Sequence, residues 1–392
     1  MNKIRFGFYM LMVVVVMTSC LPGYNVIRVT KDAKPTKKAG FYYMLPQTYF
    51  KITVKVVQKE NIKGPYSEYA AKYLGLKNII TENATSYQIA DVEIISYSEP
   101  DTSQFYFVET NCKKLGVDID YRGYLKAINP KRIKKIETEQ NYYKDNVKDT
   151  KDNGDIPELF KNFVELNMYE KVDTMYRDVE GDTGIVRETI LKKTIVEKPT
   201  EQKAKEMVDF INKLKETRFS YLNGDQDVKD KSTLEFIYNE LDKQENDYLK
   251  LFSGITVKHT LTYTFYYLPQ KDTSAKVTTV NNAPLFKFSA SKGVLDLYSK
   301  EGDYVNINVS SKGCLYNTNI YNKQKESLNK GKHGFAYRIP EFSEVIISYH
   351  NNILKDYKTS ISQFGIVVNL PRSTRSIEYD TFSGSVEKLR LH

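Results

Sequence analysis

A protein zinc site gathers three or four nitrogen, sulfur or oxygen ligands at one point, and the chain has four histidines to offer: His259, His333, His350 and His392. None belongs to an HExxH helix, and the three cysteines form no CxxC pair. His333 and His350 would meet only if "GFAYRIP" and the strand after it form a hairpin, and two ligands without a placed third make a poor site. The expectation is no metal and no cofactor. "DIDYRG", from Asp118 to Gly123, starts like a calcium loop, with alternating carboxylates and a glycine in sixth place. Arg122 and Asn129 then stand where such a loop needs an oxygen donor and a bidentate glutamate. "DQDVKD", starting at Asp225, fails in the same way through Lys229. Both read as solvated turns.

Covalent and phosphate chemistry lack their frames. The sequence has no GxSxG elbow, no P-loop and no GxGxxG turn. A glycosidase needs two carboxyls at a set separation. The nearest cluster, Asp91, Glu93, Glu99 and Asp101, reads as alternating acids on the exposed side of a strand. The chain is therefore expected not to be an enzyme.

The cysteines carry the clearest chemistry. Lys3 and Arg5 precede an uncharged apolar run from Phe6 to Met17. That run is well short of the roughly 20 residues a membrane span requires, so it reads as a secretory signal. It ends in Met17-Thr18-Ser19-Cys20, which looks like a lipobox with Cys20 as the lipidated first residue of the mature chain. The alternative is ordinary cleavage nearby with Cys20 free. Acyl chains together would anchor the protein to a membrane surface without spanning it. Cys112 and Cys314 remain, an even pair in a compartment that permits disulfides. Bonded, they would contribute on the order of 5 kcal/mol by closing a long loop; two free buried thiols are the other possibility. The formal charge is +9, with both signs interspersed. A mildly basic surface suits anionic glycans or lipid headgroups, and export argues against a nucleic-acid partner.

The elements that must position these residues are mostly strands. In "TYFKITVKVVQKE", Phe50, Ile52, Val54 and Val56 alternate with polar residues, which predicts a half-buried antiparallel strand. "GPYSEYAAKYLGL" predicts a short helix with Gly64 as N-cap, Pro65 at the first turn and Gly75 as the stop. Tyr66, Tyr69 and Tyr73 share its apolar side with Ala70 and Leu74. That row either stacks on sugar rings or, as expected here, faces a sheet. Further strands follow, with a turn at Ser98–Asp101. Residues 131–156 read as a charged mobile insertion.

A helix from Pro157 to about Tyr169 and two strands joined by "GDTG" lead into a change of period. Ala204, Met207, Val208, Ile211 and Leu214 mark one helical stripe between Thr200 and Gly224. A second helix begins with Ser232 and Glu235, spaced as a capping box. Its face runs through Leu234, Ile237, Tyr238, Leu241, Tyr248, Leu249 and Phe252 to Gly254. Together they predict a helical hairpin with a polar tip over Asp225–Lys231.

The remainder returns to strands. Among them "GFAYRIP" at Gly334 echoes "GFYYMLP" at Gly40, with Gly, Phe, Tyr and Pro at matching offsets. The echo reads as two related strand starts, the proline holding each to an edge or first position. The fold class is α+β: two β-rich, sandwich-like halves separated by a central helical hairpin. The expected order is a signal over 1–19, a tether over 20–39, a β-rich domain over 40–130, the insertion over 131–156, strands and hairpin over 157–255, and a second β-rich domain over 256–392.

"GFYYMLPQT", "GPYSEYAAKYLGL", "RFSYLNGD", "ENDYLKLFSG", "FAYRIP" and "ISQFGIVVNLP" occur in the order of one known family. In these stretches the chain resembles the domain-of-unknown-function family numbered 4831, found in lipoproteins of Bacteroidetes bacteria. The resemblance implies an outer-membrane lipoprotein with no established catalytic residues. In such bacteria, surface display tends to follow acidic residues just after the lipidated cysteine. Leu21, Pro22, Gly23 and Tyr24 supply none, which favours the periplasmic face. The expected role is a non-catalytic envelope lipoprotein acting through protein–protein contacts, with Asp225, Gln226, Asp227 and Lys229 at the docking tip. A glycan-binding module using Tyr66, Tyr69 and Tyr73 is the alternative, and a hydrolase the third.

Overall fold

The computed structural model describes residues 24–30, 38–110, 115–130, 168–181, 184–224, 230–270, 279–311 and 334–391. Cys20, Cys112, Cys314, His333, His392, residues 131–167 and the tip residues 225–229 lie outside them. The first half runs β1 (Tyr24–Arg28), β2 (Gly40–Ile62), α1 (Ser67–Leu74), β3 (Ala84–Thr110), β4 (Val117–Ile119), β5 (Leu125–Ile128), β6 (Met168–Gly181) and β7 (Gly184–Glu197). Then come α2 (Thr200–Asn223), α3 (Lys231–Ser253) and β8 (Ile255–Tyr267). The chain closes with β9 (Thr279–Ser289), β10 (Gly293–Leu295), β11 (Asp303–Ser311), β12 (Ala336–Tyr349), β13 (Asn352–Asn369), β14 (Thr374–Tyr379) and β15 (Val386–Leu391).

The fold is α+β with a central helical hairpin, as the two periodicities predict. Four sheets are described, ordered β1-β3-β2-β8, β10-β9-β11-β12-β13, β15-β14-β5-β4 and β6-β7. No helix among the described residues is long and apolar enough to cross a membrane. Two compact units emerge: one from Met1–Val56, Ile89–Lys148 and Thr262–His392, the other from Val57–Gln88 and Asp149–Leu261. The strands on both sides of the hairpin in sequence thus share the first unit, instead of forming two successive domains. Long-range packing explains it: Tyr43 and Leu45 share a core cluster with Phe335, Ala336 and Ile377.

Several local expectations change. The stretch read as a tether contains β1, because Tyr24 and Val26 are buried in that cluster and the strand pairs with β3 from Tyr24↔Thr110 to Arg28↔Tyr106. Ser98–Asp101 does not reverse the chain but lies inside β3. Its aspartate still makes turn-like bonds, accepting from the Ser103 N–H at 2.9 Å and the Ser103 hydroxyl at 2.6 Å. In "DIDYRG" Asp118 and Ile119 end β4 and the turn follows, yet Asp120 is buried and held by Arg122 at 2.9 Å instead of being solvated.

The glycine-proline echo is a backbone device. In β2 the buried positions are Tyr43 and Leu45, then Thr48, Phe50, Ile52, Val54 and Val56. In β12 they are Ala336 and Arg338, then Glu341, Ser343, Val345 and Ile347. Each strand therefore turns its other face inward at its proline, Pro46 or Pro340. Neither proline is at a first position, since each follows several residues of its strand. The β11 partner of β12 reaches only Ser343, so Pro340 lies on a stretch described as paired with β13 alone. A register irregularity accommodates Pro340: pairing jumps from Ile339↔Ile366 to Glu341↔Ile361 on β13. A Cβ on Gly365, in that jump, would lie 1.8 Å from the Ile339 carbonyl oxygen. At Gly40 and Gly334 it would lie 2.1 Å and 2.3 Å from the carbonyl oxygens of Val108 and Leu370. Glycine is required there by close backbone approach.

Candidate functional site

Two places in the described residues concentrate charged and aromatic groups. In the first unit, Arg338 on β12 is 4% exposed, and its guanidinium donates to the Pro46 carbonyl and to the Asp101 carboxylate. Burial lowers the Arg338 pKa from its ordinary value, and Asp101 opposes that shift. Burial also pushes the neighbouring Tyr106 hydroxyl up to about 12. Asp101 is thus consumed in a buried ion pair linking β12 to β2 and β3, while Asp91 is exposed and pairs with Lys55 at 3.2 Å. The four acids of β3 do not share one face in the way their spacing predicts, because the buried parity of β3 changes between Ile94 and Asp101. Breaking such a pair leaves an uncompensated buried charge, so its role is structural.

Among the described residues no group of three or more His, Cys, Asp or Glu side chains is placed to hold a metal. His350 instead meets Asp303, Nε2 to Oδ2, at 2.8 Å. It occupies the β12–β13 hairpin turn with Asn351, at φ +48° and +66°, the left-handed pair such two-residue turns favour.

The second place is the α2–α3 hairpin and the short helix at its base. Gly75, at φ +66°, stops α1, its N–H reaching the carbonyls of Ala70 and Ala71. The start of α1 differs from expectation: Tyr66 is the N-cap residue, and Gly64 serves space instead of capping. A Cβ on Gly64 would come within 2.4 Å of the Leu251 carbonyl oxygen. That carbonyl belongs to the last turn of α3, where intrahelical donors run out. It accepts from the Tyr66 N–H at 3.0 Å, and Ser253 accepts from the Ile80 N–H at 2.8 Å. The base of the hairpin is therefore closed by backbone bonds.

Side chains complete that closure. Tyr66, Ala70, Ala204, Ile211, Leu251 and Phe252 form a buried cluster, with Tyr69, Tyr73, Met207 and Tyr248 packed around it. The tyrosine row faces helices, not a sheet. With Tyr66 only 1% exposed, the three rings do not make a platform for sugars. A polar contact lies on its outer side: Glu201 accepts from Lys72 at 2.7 Å and from the Tyr73 hydroxyl at 2.5 Å. The Lys72 bond first, then the Tyr73 bond, hold the Glu201 carboxyl down at about 2. Burial, with help from Glu206, pushes Tyr66 up to about 12.

Along the hairpin the contacts become ionic. Arg218 Nη1 lies 2.7 Å from Asp242 and 2.6 Å from Glu245, and Lys215 approaches Glu245 at 3.8 Å. Phe210 leans on Tyr248 with ring centres 4.6 Å apart. Helix α3 is capped by Asp230, which accepts from the Thr233 N–H at 2.9 Å. The expected Ser232–Glu235 box is displaced because the Asp230 carboxylate, one residue before the helix, also takes the Ser232 and Thr233 hydroxyls. Those hydroxyl bonds, Ser232 first, hold the Asp230 carboxyl down at about 2.

Beyond Arg218 the character changes again. Phe219 and Leu222 near the end of α2 are 65% and 59% exposed, and Phe236 near the start of α3 is 68% exposed. They flank the loop that contains Asp225, Gln226, Asp227 and Lys229. The sequence stripe passes over them: Phe219 and Phe236 lie off the faces marked by Ile211 and Phe252, and that offset was the available signal.

No curated protein and no solved structure matches the chain. A family profile described as "Domain of unknown function (DUF4831)" matches residues 39–160 and 164–380. That match takes in β2 with its glycine-proline segment, α1 and both hairpin helices, and by it the chain belongs to the DUF4831 family.

Proposed function

We propose that the protein is a non-catalytic, lipid-anchored component of the cell envelope that docks another envelope protein on the tip of the α2–α3 hairpin. The carrying observation is the exposure of Phe219, Leu222 and Phe236 at one end of a hairpin whose other large apolar groups are mostly covered. Exposed apolar clusters mark contact surfaces, and buried aromatic anchors supply much of the energy of protein interfaces. Cys20 is the lipidation site in this reading, and the periplasmic face of an outer membrane, in a Bacteroidetes-type envelope, is the location. Affinity capture from cross-linked intact envelopes tests the docking role. A discrete partner should be lost when Phe219, Leu222 and Phe236 are all changed to serine, and retention of that partner would reject the tip. Labelling with a fatty-acid probe tests the anchor: Cys20→Ala should abolish it.

A second reading has one observation in its favour. Tyr97 on β3 meets Tyr49 on β2 with ring centres 5.7 Å apart and Tyr266 on β8, edge to face, at 6.3 Å. Tyr266 is 58% exposed, which supports glycan stacking here in preference to α1. A glycan array that gives no binding lost on Tyr266→Ala would dismiss it.

A further inference from the structure

The chain enters β1 at Tyr24, four residues after Cys20, and Tyr24 is firmly placed. It pairs with Thr110 on β3, its ring centre lies 4.8 Å from that of Phe335, and its carbonyl accepts from the Arg372 guanidinium. Even fully extended, four residues span at most about 14 Å. With Cys20 acylated, the end of the sheet that holds Tyr24 is kept within that distance of the lipid. The two sides of the sheet differ at this end. On one, Val26, Tyr43, Tyr106 and Val108 enter the core cluster. On the other, Tyr42 packs on Phe105 and Phe107 with ring centres 5.1 Å and 4.7 Å apart. Ile27 stands opposite Phe107 on the same face, and Tyr42 remains 52% exposed. This face is close to the anchor. Ala39, just before β2, accepts from the Thr110 N–H at 3.1 Å, and at ordinary strand spacings Tyr42 is about 14 Å from Tyr24.

We propose that this outer face, centred on Tyr42, lies in the interface of the bilayer that holds the anchor. The proposal rests on the reading of Cys20 as lipidated. The short chain from Cys20 to β1 selects the occupant, because it keeps lipid beside this end of the sheet at all times. The aromatic rings select the side. The opposite side of the same strands is covered by its own core, whereas Tyr42 offers water an apolar ring with a polar tip. Such rings settle at the level of the lipid headgroups, and a shallow apolar face adds to the hold of acyl chains. The anchor and the sheet then act as two signals for one surface.

The chain contains no tryptophan, so Tyr42→Trp and Tyr298→Trp each install a single fluorophore in the full-length protein. Tyr298 is 94% exposed and lies between β10 and β11. Strand β11 starts beside the Tyr349 end of β12, while Ala336 at the other end of β12 donates its N–H to Tyr43. The length of β12 therefore separates the two reporters, roughly 40 Å. Each protein is purified with its acyl chains, which its mass verifies, and added to phosphatidylcholine vesicles whose lipids carry bromine near the top of the chains. Tryptophan at position 42 should be quenched about fivefold more strongly than at position 298. The more exposed position 298 gives the fluorophore's own affinity for the interface every opportunity, so a preference for position 42 reports how the fold is oriented. Equal quenching at both positions, or stronger quenching at 298, would overturn the bilayer contact and leave the anchor standing. Protein recovered without acyl chains would overturn the anchor and the contact together.

Discussion

At the base of the α2–α3 hairpin, Leu251 and Phe252 are covered by Tyr66 and Ala70; at its far end, Phe219, Leu222 and Phe236 face water. The residue types are alike and the helices are the same. What differs is α1, which reaches only the base and also satisfies the Leu251 carbonyl there. Folding accounts for the apolar groups of the base. It does not account for those of the tip, and exposed aromatics at such a place are expected to be used in contact.

That contrast is easiest to break by truncation. Phe252→Ala empties a fully buried site and should cost about 3–5 kcal/mol, whereas Phe236→Ala should stay within about 0.5 kcal/mol. Urea unfolding of both variants measures the difference, and equal losses would erase the distinction between the ends. The next effect is steric. Gly64→Ala drives a methyl to 2.4 Å from the Leu251 carbonyl oxygen, and the same unfolding curves should show a loss of roughly 1–3 kcal/mol. An unchanged midpoint would mean that the base is more loosely closed than described.

The smallest effect is electrostatic and sharpens the account of how α1 is held. Glu201 is depressed from an ordinary 4.5 to about 2, first by its bond from Lys72 and then by that from Tyr73. A depressed carboxylate stabilises the fold above its unfolded pKa, and that contribution disappears as pH falls through the folded value. Glu201→Gln should therefore lower the unfolding midpoint at neutral pH, with the difference from wild type shrinking between pH 4.5 and about 2. A difference that does not vary with pH would show that the Lys72–Glu201–Tyr73 contact contributes nothing through charge.

How far these features could be read from residues alone depends on the distance over which they are determined. The alternation of Phe50, Ile52, Val54 and Val56 has one cause, a strand with one buried face, and it is visible within a few residues. The stops at Gly75, Gly224 and Gly254 are equally local, each at positive φ. Asp101 shows the limit. Its neighbours Ser98 and Pro100 spell a turn, but its second carboxylate oxygen is claimed by Arg338, 237 residues away, and the strand runs on. Asp230 shows it at close range, since a carboxylate just before the helix displaced a plausible serine cap. At the far end of the hairpin the offset of Phe219 and Phe236 from the helical stripes was legible; that their side stays exposed was not, because it depends on α1, from residues 67–74, covering the base alone.

The docking claim is tested most directly where the two ends differ. A photo-cross-linking amino acid is placed at position 236 in one strain and at position 252 in another, and intact cells are irradiated. The account predicts an adduct with one discrete envelope protein from position 236 and none from position 252, which is buried within its own chain. Irradiation that yields no intermolecular adduct from position 236, or the same adduct from both positions, would contradict it.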